Sequence, residues 1–152
     1  MSKPIAHSKR PFFEEGEQCA ALPFRMGKKG RPEIMLITSR ETKRWIIPKG
    51  WPMKGKSDPE AAEQEAFEEA GIKGKIGTRK IGSYHYLKLR SDRDPVLCEV
   101  SVFPLKVKGE VKKWPEKDER CRQWFSFTEA VDLVDEDGLK ELLLEWEDIL
   151  TS

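Results

Sequence analysis

Three glutamates, Glu65, Glu68 and Glu69, occupy positions i, i+3 and i+4 of the stretch running from Gly50 to Ile72. At helical periodicity that spacing gathers all three carboxylates on one face, about one turn apart. Like charges held so close cost about 0.2–0.5 kcal/mol per pair unless something positive sits against them. A hard divalent cation is the natural counter-charge. Magnesium takes oxygen ligands, keeps several waters, and is held by a few carboxylates together with substrate phosphates. Such an ion polarises a phosphoryl group and lowers the pKa of an attacking water. The pattern has a second, plainer reading. Five of the ten residues from Glu60 to Glu69 are glutamate, a good helix former that is common on solvated faces.

The flanking loop favours the chemical reading. Gly50 and Gly55 permit backbone conformations that turn amides or carbonyls inward. Lys49, Lys54 and Lys56 bring positive charge beside a helix N-terminus, itself favourable for phosphate. Arg40, Lys43 and Arg44 lie shortly upstream, so the six cations cluster in sequence around the acids. A local basic patch of this kind suits a substrate with several phosphates.

The surrounding elements must hold these groups. Ser57 and Glu60 form a capping-box pair, Asp58 and Pro59 suit a first turn, and Gly71 fits the stop, so a helix is expected between Ser57 and Gly71. Ala62, Ala66, Ala70 and Phe67 give it a mostly small apolar face that can lie close to a sheet. Strands are expected over Gln18–Arg25, with Pro23 marking an edge or bulge, over Glu33–Ser39, and over Trp45–Pro48. Two long strands, Ile76–Lys88 and Val96–Lys108, join through the turn Ser91–Pro95. In the second, Val96, Cys98, Val100 and Val102 share one face and Phe103, Leu105 and Val107 take the other, with Pro104 at a bulge or edge. Gln123–Phe127 reads as a last strand. Thr128 caps a short helix, Glu129–Val134, and an amphipathic helix over Gly138–Leu150 carries Leu139, Leu142, Leu143, Trp146, Ile149 and Leu150. Mixed strands and helices point to an α/β sandwich around a mixed sheet.

Composition narrows the function classes. With 152 residues the chain has room for one domain, and no repeat or linker divides it. Residues 1–16 are expected as a loosely held arm and 17–152 as the domain. Lys+Arg 28 against Asp+Glu 27 gives a net charge of +1, so no global field marks a nucleic-acid or membrane binder. Cys19, Cys98 and Cys121 form no close pair, which argues against zinc and for reduced thiols. Met1 to Gly16 contains no apolar segment. The expectation is a cytoplasmic protein with neither membrane association nor stable nucleic-acid binding.

The segment from Gly50 to Ile72 resembles the Nudix box, G-x5-E-x7-R-E-U-x-E-E-x-G-U, with Gly50, Glu65, Glu68, Glu69, Gly71 and Ile72 in register. W-I-I-P-K-G before it and Q-W-F-S-F-T-E-A after it are also similar to Nudix proteins. Lys56 stands where the family has glutamate, Gln64 where it has arginine, and Ala66 where it has a larger aliphatic. The resemblance implies an α/β/α sandwich, with Mg2+ or Mn2+ held by Glu65, Glu68, Glu69 and the Gly50 carbonyl. It implies hydrolysis of a diphosphate linkage by water attack on phosphorus, with Glu68 or Glu69 taking the proton. In some members a downstream acid joins the site, and spacing does not choose among Glu116, Asp118 and Glu119. The flanks are most similar to diphosphoinositol polyphosphate and diadenosine polyphosphate phosphohydrolases, which implies a polyphosphorylated small-molecule substrate gripped by Arg40, Lys43, Arg44, Lys49, Lys54 and Lys56. An RNA 5′-end pyrophosphohydrolase and a non-catalytic ligand-binding module are the alternatives. Tyr84, Tyr86 and Trp51 serve either packing or substrate contact, and His85 is expected as an ordinary strand residue.

Overall fold

The computed structural model describes residues 14–152. A mixed eight-stranded sheet forms the middle layer, built from β1 (Glu14–Met26), β2 (Pro32–Thr38), β3 (Trp45–Ile46), β4 (Lys49–Gly50), β5 (Ile72–Ile76), β6 (Gly82–Lys88), β7 (Val96–Glu110) and β8 (Arg122–Ser126). Helix α1 (Asp58–Ala70) covers one face, and α2 (Phe127–Leu133) and α3 (Asp137–Thr151) cover the other. The chain is thus an α/β/α sandwich, with the mixed sheet that the elements pointed to and the layering that the resemblance implies.

Strands β1 and β7 form the spine, pairing in parallel from Glu14 opposite Val96 to Phe24 opposite Lys106. Alternation of side chains divides them between two cores. Ala20, Leu22, Val96, Cys98, Val100 and Val102 pack with Leu139, Leu142 and Leu143 of α3. Cys19, Ala21, Phe103 and Leu105 pack with Ala61, Ala62, Ala66 and Ala70 of α1. The expected face switch along β7 is therefore present, and the alanine stripe lets α1 lie close to the sheet.

Several boundaries differ from expectation, each for a physical reason. Glu14, Glu15 and Gly16, expected in the arm, belong to β1; residues 1–13 lie outside the described residues. Pro23 marks neither an edge nor a bulge. Alternation turns its nitrogen to the same side as that of Ala21, which bonds to the Pro48 carbonyl at 3.0 Å. On that side Cys19 and Ala20 pair with β4 and Phe24 begins the ladder with β2, so Pro23 stands in the gap. Pro104 does the same on β7, between β5, which ends opposite Leu105, and β6, which begins opposite Val102. A missing N–H costs no ladder bond at either place. The true irregularity lies between Lys73 and Gly74, which face Gly109 and Val107.

The expected long strand over Ile76–Lys88 is two strands, β5 and β6, with Gly77 and Ile81 bonding back to the carbonyls of Pro104 and Val102. The expected strand Trp45–Pro48 is shortened to β3, which pairs with β2, and Lys49 and Gly50, expected in the loop, form β4 against β1. The cap of α2 is Ser126 rather than Thr128, because Ser126 forms a reciprocal capping box with Glu129. On α3, Leu139, Leu142 and Leu143 are buried, whereas Ile149 is exposed.

Candidate active site

Local sequence fixes the helix that carries the acids. Ser57 accepts from the Glu60 amide and Glu60 accepts from the Ser57 amide, closing the expected capping box. At the other end Gly71 takes the left-handed conformation at φ 66°. Between them Glu65, Glu68 and Glu69 share the face turned toward β4 and the 111–121 loop.

The sheet meets that face at Gly50. A Cβ added at this position would fall 2.9 Å from Glu65 Cγ and nearer still to its carboxylate. Only hydrogen leaves room for Glu65 to reach the β4 backbone. One residue earlier, the Lys49 amide donates to Glu69 Oε1 at 3.2 Å. Gln64 Nε2 donates to Glu68 Oε2 at 2.6 Å.

The 111–121 loop supplies what sequence reasoning missed. The side chain of Arg120 is only 8% exposed and lies 3.6 Å from Glu69 Oε2. It also donates to Glu116 Oε1 at 2.8 Å and to the Thr38 carbonyl at 3.1 Å. Of the three downstream acids it is thus Glu116 that reaches the cluster. Glu119 turns away to pair with Arg40 at 3.2 Å. The loop also closes the end of the helix, whose last four carbonyls need partners. The Glu116 amide takes the Glu68 carbonyl and Trp114 Nε1 that of Glu69, while Arg122, where β8 begins, takes those of Ala70 and Gly71. A Glu-x3-Arg spacing at Glu116 and Arg120 was the one local signal of this arrangement.

Crowded acids leave an electrical signature. Burial, then the Glu69 charge and a hydrogen bond with Glu69, push the Glu65 carboxyl up to about 8. Burial also raises Glu69, against the opposing pull of Arg120 and the Lys49 amide. Glu65 and Glu69 therefore behave as a carboxyl–carboxylate pair holding a proton where a cation would relieve them. Hard oxygen donors, surplus negative charge and the space kept open by Gly50 fit a divalent cation. Among the described residues no three such side chains already stand at ligand distance, and the turn of Glu68 toward Gln64 accounts for part of this.

The six expected phosphate-binding cations differ in what they already contact. Arg40 is tied to Glu119, and Arg44 to Asp135 at 3.1 Å. Lys49 projects over the ring of Tyr86 at 4.8 Å, and burial brings its pKa down to about 8. Lys43, Lys54 and Lys56 are exposed. Tyr84 is core, Tyr86 donates to Gln18 Oε1 at 2.8 Å, and the exposed Trp51 lies against Gly16. His85 is an exposed strand residue opposite Glu99. Burial and neighbouring Asp58 push the Cys19 thiol up to about 12, so Cys19, paired with Gly50 across the sheet, is packing and not a nucleophile.

The NUDIX domain family model matches residues 18–146. The chain belongs to the Nudix family. Nudix hydrolase 16, mitochondrial, of Arabidopsis thaliana is 32% identical over 148 residues, covering 88% of this chain and 81% of the relative. Diphosphoinositol polyphosphate phosphohydrolase 3-alpha of Mus musculus is 33% identical over 131 residues, covering 82% and 74%. Other relatives are longer: the chain spans 61% of Nudix hydrolase 21, chloroplastic, of Arabidopsis thaliana, at 32% identity over 125 residues and 80% of this chain. A crystal structure of a C. elegans Ap4A hydrolase binary complex superposes with a TM-score of 0.67 at 20% identity, covering 90% of this chain and 98% of that one, a likeness of fold. Family membership makes this Nudix protein a pyrophosphohydrolase by class, and Nudix hydrolases are in general dependent on divalent metals. Among the described residues no helix is long and apolar enough to cross a membrane.

Proposed function

We propose that this Nudix protein hydrolyses a diphosphate linkage in a polyphosphorylated small molecule of the diadenosine polyphosphate or diphosphoinositol polyphosphate type. The observation that carries the reading is the meeting of Gly50, Glu65 and Glu69, where two carboxyls crowd against a backbone that only glycine allows. Glu65, Glu68, Glu69 and the Gly50 carbonyl would hold Mg2+ or Mn2+. When bound, the ion supplies charge neutralisation at phosphorus and acidifies the attacking water.

The protein's own groups do the rest. Glu68 or Glu69 takes the proton of the attacking water. Glu69 is fixed by the Lys49 amide and Arg120, whereas Glu68 is held only by the neutral Gln64. Exposed Lys43, Lys54 and Lys56 meet the phosphates of the substrate, and Lys49 offers a cation from a half-buried position. Arg40 and Arg44 join them by exchanging a surface carboxylate for a phosphate. Surface pairs of that kind are worth about 0–1 kcal/mol, so the exchange is cheap. The named relative that acts on diphosphoinositol polyphosphates supports the substrate class. A cytoplasmic location is part of the proposal, supported by the free state of Cys19, Cys98 and Cys121. Relatives named mitochondrial or chloroplastic set the competing outcomes for cell fractionation.

The deciding experiment is a substrate panel with Mg2+ or Mn2+: diadenosine polyphosphates, diphosphoinositol polyphosphates, nucleoside triphosphates, ADP-ribose and 5′-triphosphate RNA. Phosphate release from one of the first two classes that disappears in Glu69→Gln supports the reading. Turnover confined to RNA ends, or binding without turnover across the panel, overturns it.

A further inference from the structure

The 111–121 loop has a second side. Lys112, Lys113, Trp114, Lys117, Asp118 and Arg122 line an open groove of about 700 Å³ beside the C-terminal end of α1. Four cations face one carboxylate there. Arg122 is already committed, to the carbonyls of Ala70, Gly71 and Val111 and to the ring of Trp114 at 4.0 Å. Lys112, Lys113 and Lys117 are exposed and form no ion pair among the described residues. Three uncommitted ammonium groups around one concavity, with a single acid among them, make a local positive field in a chain whose net charge is only +1.

We infer that this groove is a second anion site, which takes an oligophosphate ligand apart from the carboxylate centre. Flexible lysines act on phosphate as point charges, so the site selects for charge density rather than for one shape. Three linked phosphoryl groups match three ammoniums, whereas a single phosphate engages only part of the set. The site is separate from the hydrolytic face because Glu116, on the same loop, turns toward Arg120 and the Glu68 carbonyl. It is also coupled to that face, since Trp114 holds the Glu69 carbonyl. A competing role for the lysines is to complement the negative end of the α1 dipole.

Inorganic tripolyphosphate, titrated calorimetrically in excess chelator, tests the inference without turnover or metal. Its failure is therefore distinct from failure of the proposed hydrolysis. The triple variant Lys112→Gln, Lys113→Gln, Lys117→Gln is expected to weaken binding at least about tenfold and to flatten its dependence on salt. A control variant, Arg79→Gln, Lys80→Gln, Arg93→Gln, removes the same charge from the turns on either side of β6, away from the Glu110 end of β7, and should stay within about twofold. Equal losses in the two variants overturn the site, as does a triple variant that melts earlier yet binds tripolyphosphate unchanged, which assigns the lysines to the helix end. A raised KM for the hydrolysed substrate in the triple variant identifies the ligand as that substrate's own distal phosphates. An unchanged KM with lost tripolyphosphate binding identifies a separate anion, and both results uphold the site.

Discussion

Replacing Gly50 by alanine separates catalysis from stability. The backbone of Gly50 lies outside the left-handed region, so alanine meets no conformational penalty. By restricting the unfolded chain it is worth about 0.4–1 kcal/mol in favour of folding. Its methyl group, however, would fall 2.9 Å from Glu65 Cγ, where ordinary contact begins at 3.4 Å. The overlap is thus at least 0.5 Å there (3.4 less 2.9) and greater at the carboxylate. Glu65 must swing away, because the methyl is fixed to the sheet while the side chain can move. A displacement on the order of 1 Å in a positioned group costs roughly 100-fold in rate, or about 2.7 kcal/mol of transition-state stabilisation. Gly50→Ala is therefore expected to lower kcat/KM about 100-fold and to weaken Mn2+ binding, with unfolding free energy changed by less than about 1 kcal/mol. Steady-state kinetics, metal titration and urea denaturation read the three quantities. Gly30→Ala provides the opposite case, since Gly30 sits at φ +70° with nothing within 4 Å of an added Cβ. It should lose about 1–2 kcal/mol of stability and no activity. Gly50→Ala enzyme with activity and metal affinity within threefold of the original would refute the placement of Glu65 against β4.

Three further outcomes follow from the same geometry. Arg120→Gln removes a buried partner of Glu69 and Glu116 and should destabilise the protein by about 3 kcal/mol in urea denaturation; a loss under 1 kcal/mol would show that Arg120 is dispensable to the acids. In chelator, the raised Glu65 carboxyl makes the native state hold a proton that the unfolded chain releases, so its contribution is complete below about 4.5 and lost as pH rises through about 8. Lys49 acts in the other direction higher up: its ammonium is disfavoured in the fold below about 8, a cost relieved toward 10.5. The urea midpoint should thus fall between pH 5 and 8 and recover above, and Glu65→Gln should flatten the fall; a midpoint rising from pH 5 to 8 would contradict the proton-sharing pair. Ser57→Ala opens the α1 capping box and should cost about 1 kcal/mol, measured by thermal melting, with Ser57→Gly costing only a few tenths.

How much of this was legible beforehand divides along sequence distance. The helix of acids was readable because its determinants are local: Ser57, Glu60 and Gly71 bound it, and the spacing of Glu65, Glu68 and Glu69 sets its face. The two faces of β7 were readable by alternation alone. Pro23 and Pro104 misled because a residue without an N–H says only that no bond is made there. Whether that is an edge, a bulge or a change of partner depends on strands far along the chain. The same limit hid Arg120 and Trp114, which meet Glu69 from 51 and 45 residues away. Their arrival alters the meaning of Gln64. Where the family box carries an arginine on the helix itself, this chain places an amide that holds Glu68, while the guanidinium facing Glu69 comes from the 111–121 loop. The helix itself thus supplies no cation to its acids, and the one that reaches Glu69 through a side-chain ion pair belongs to a different element. The state of Glu69 therefore depends here on the docking of that loop, which makes the loop part of the site in a way that no reading of the box by itself contains.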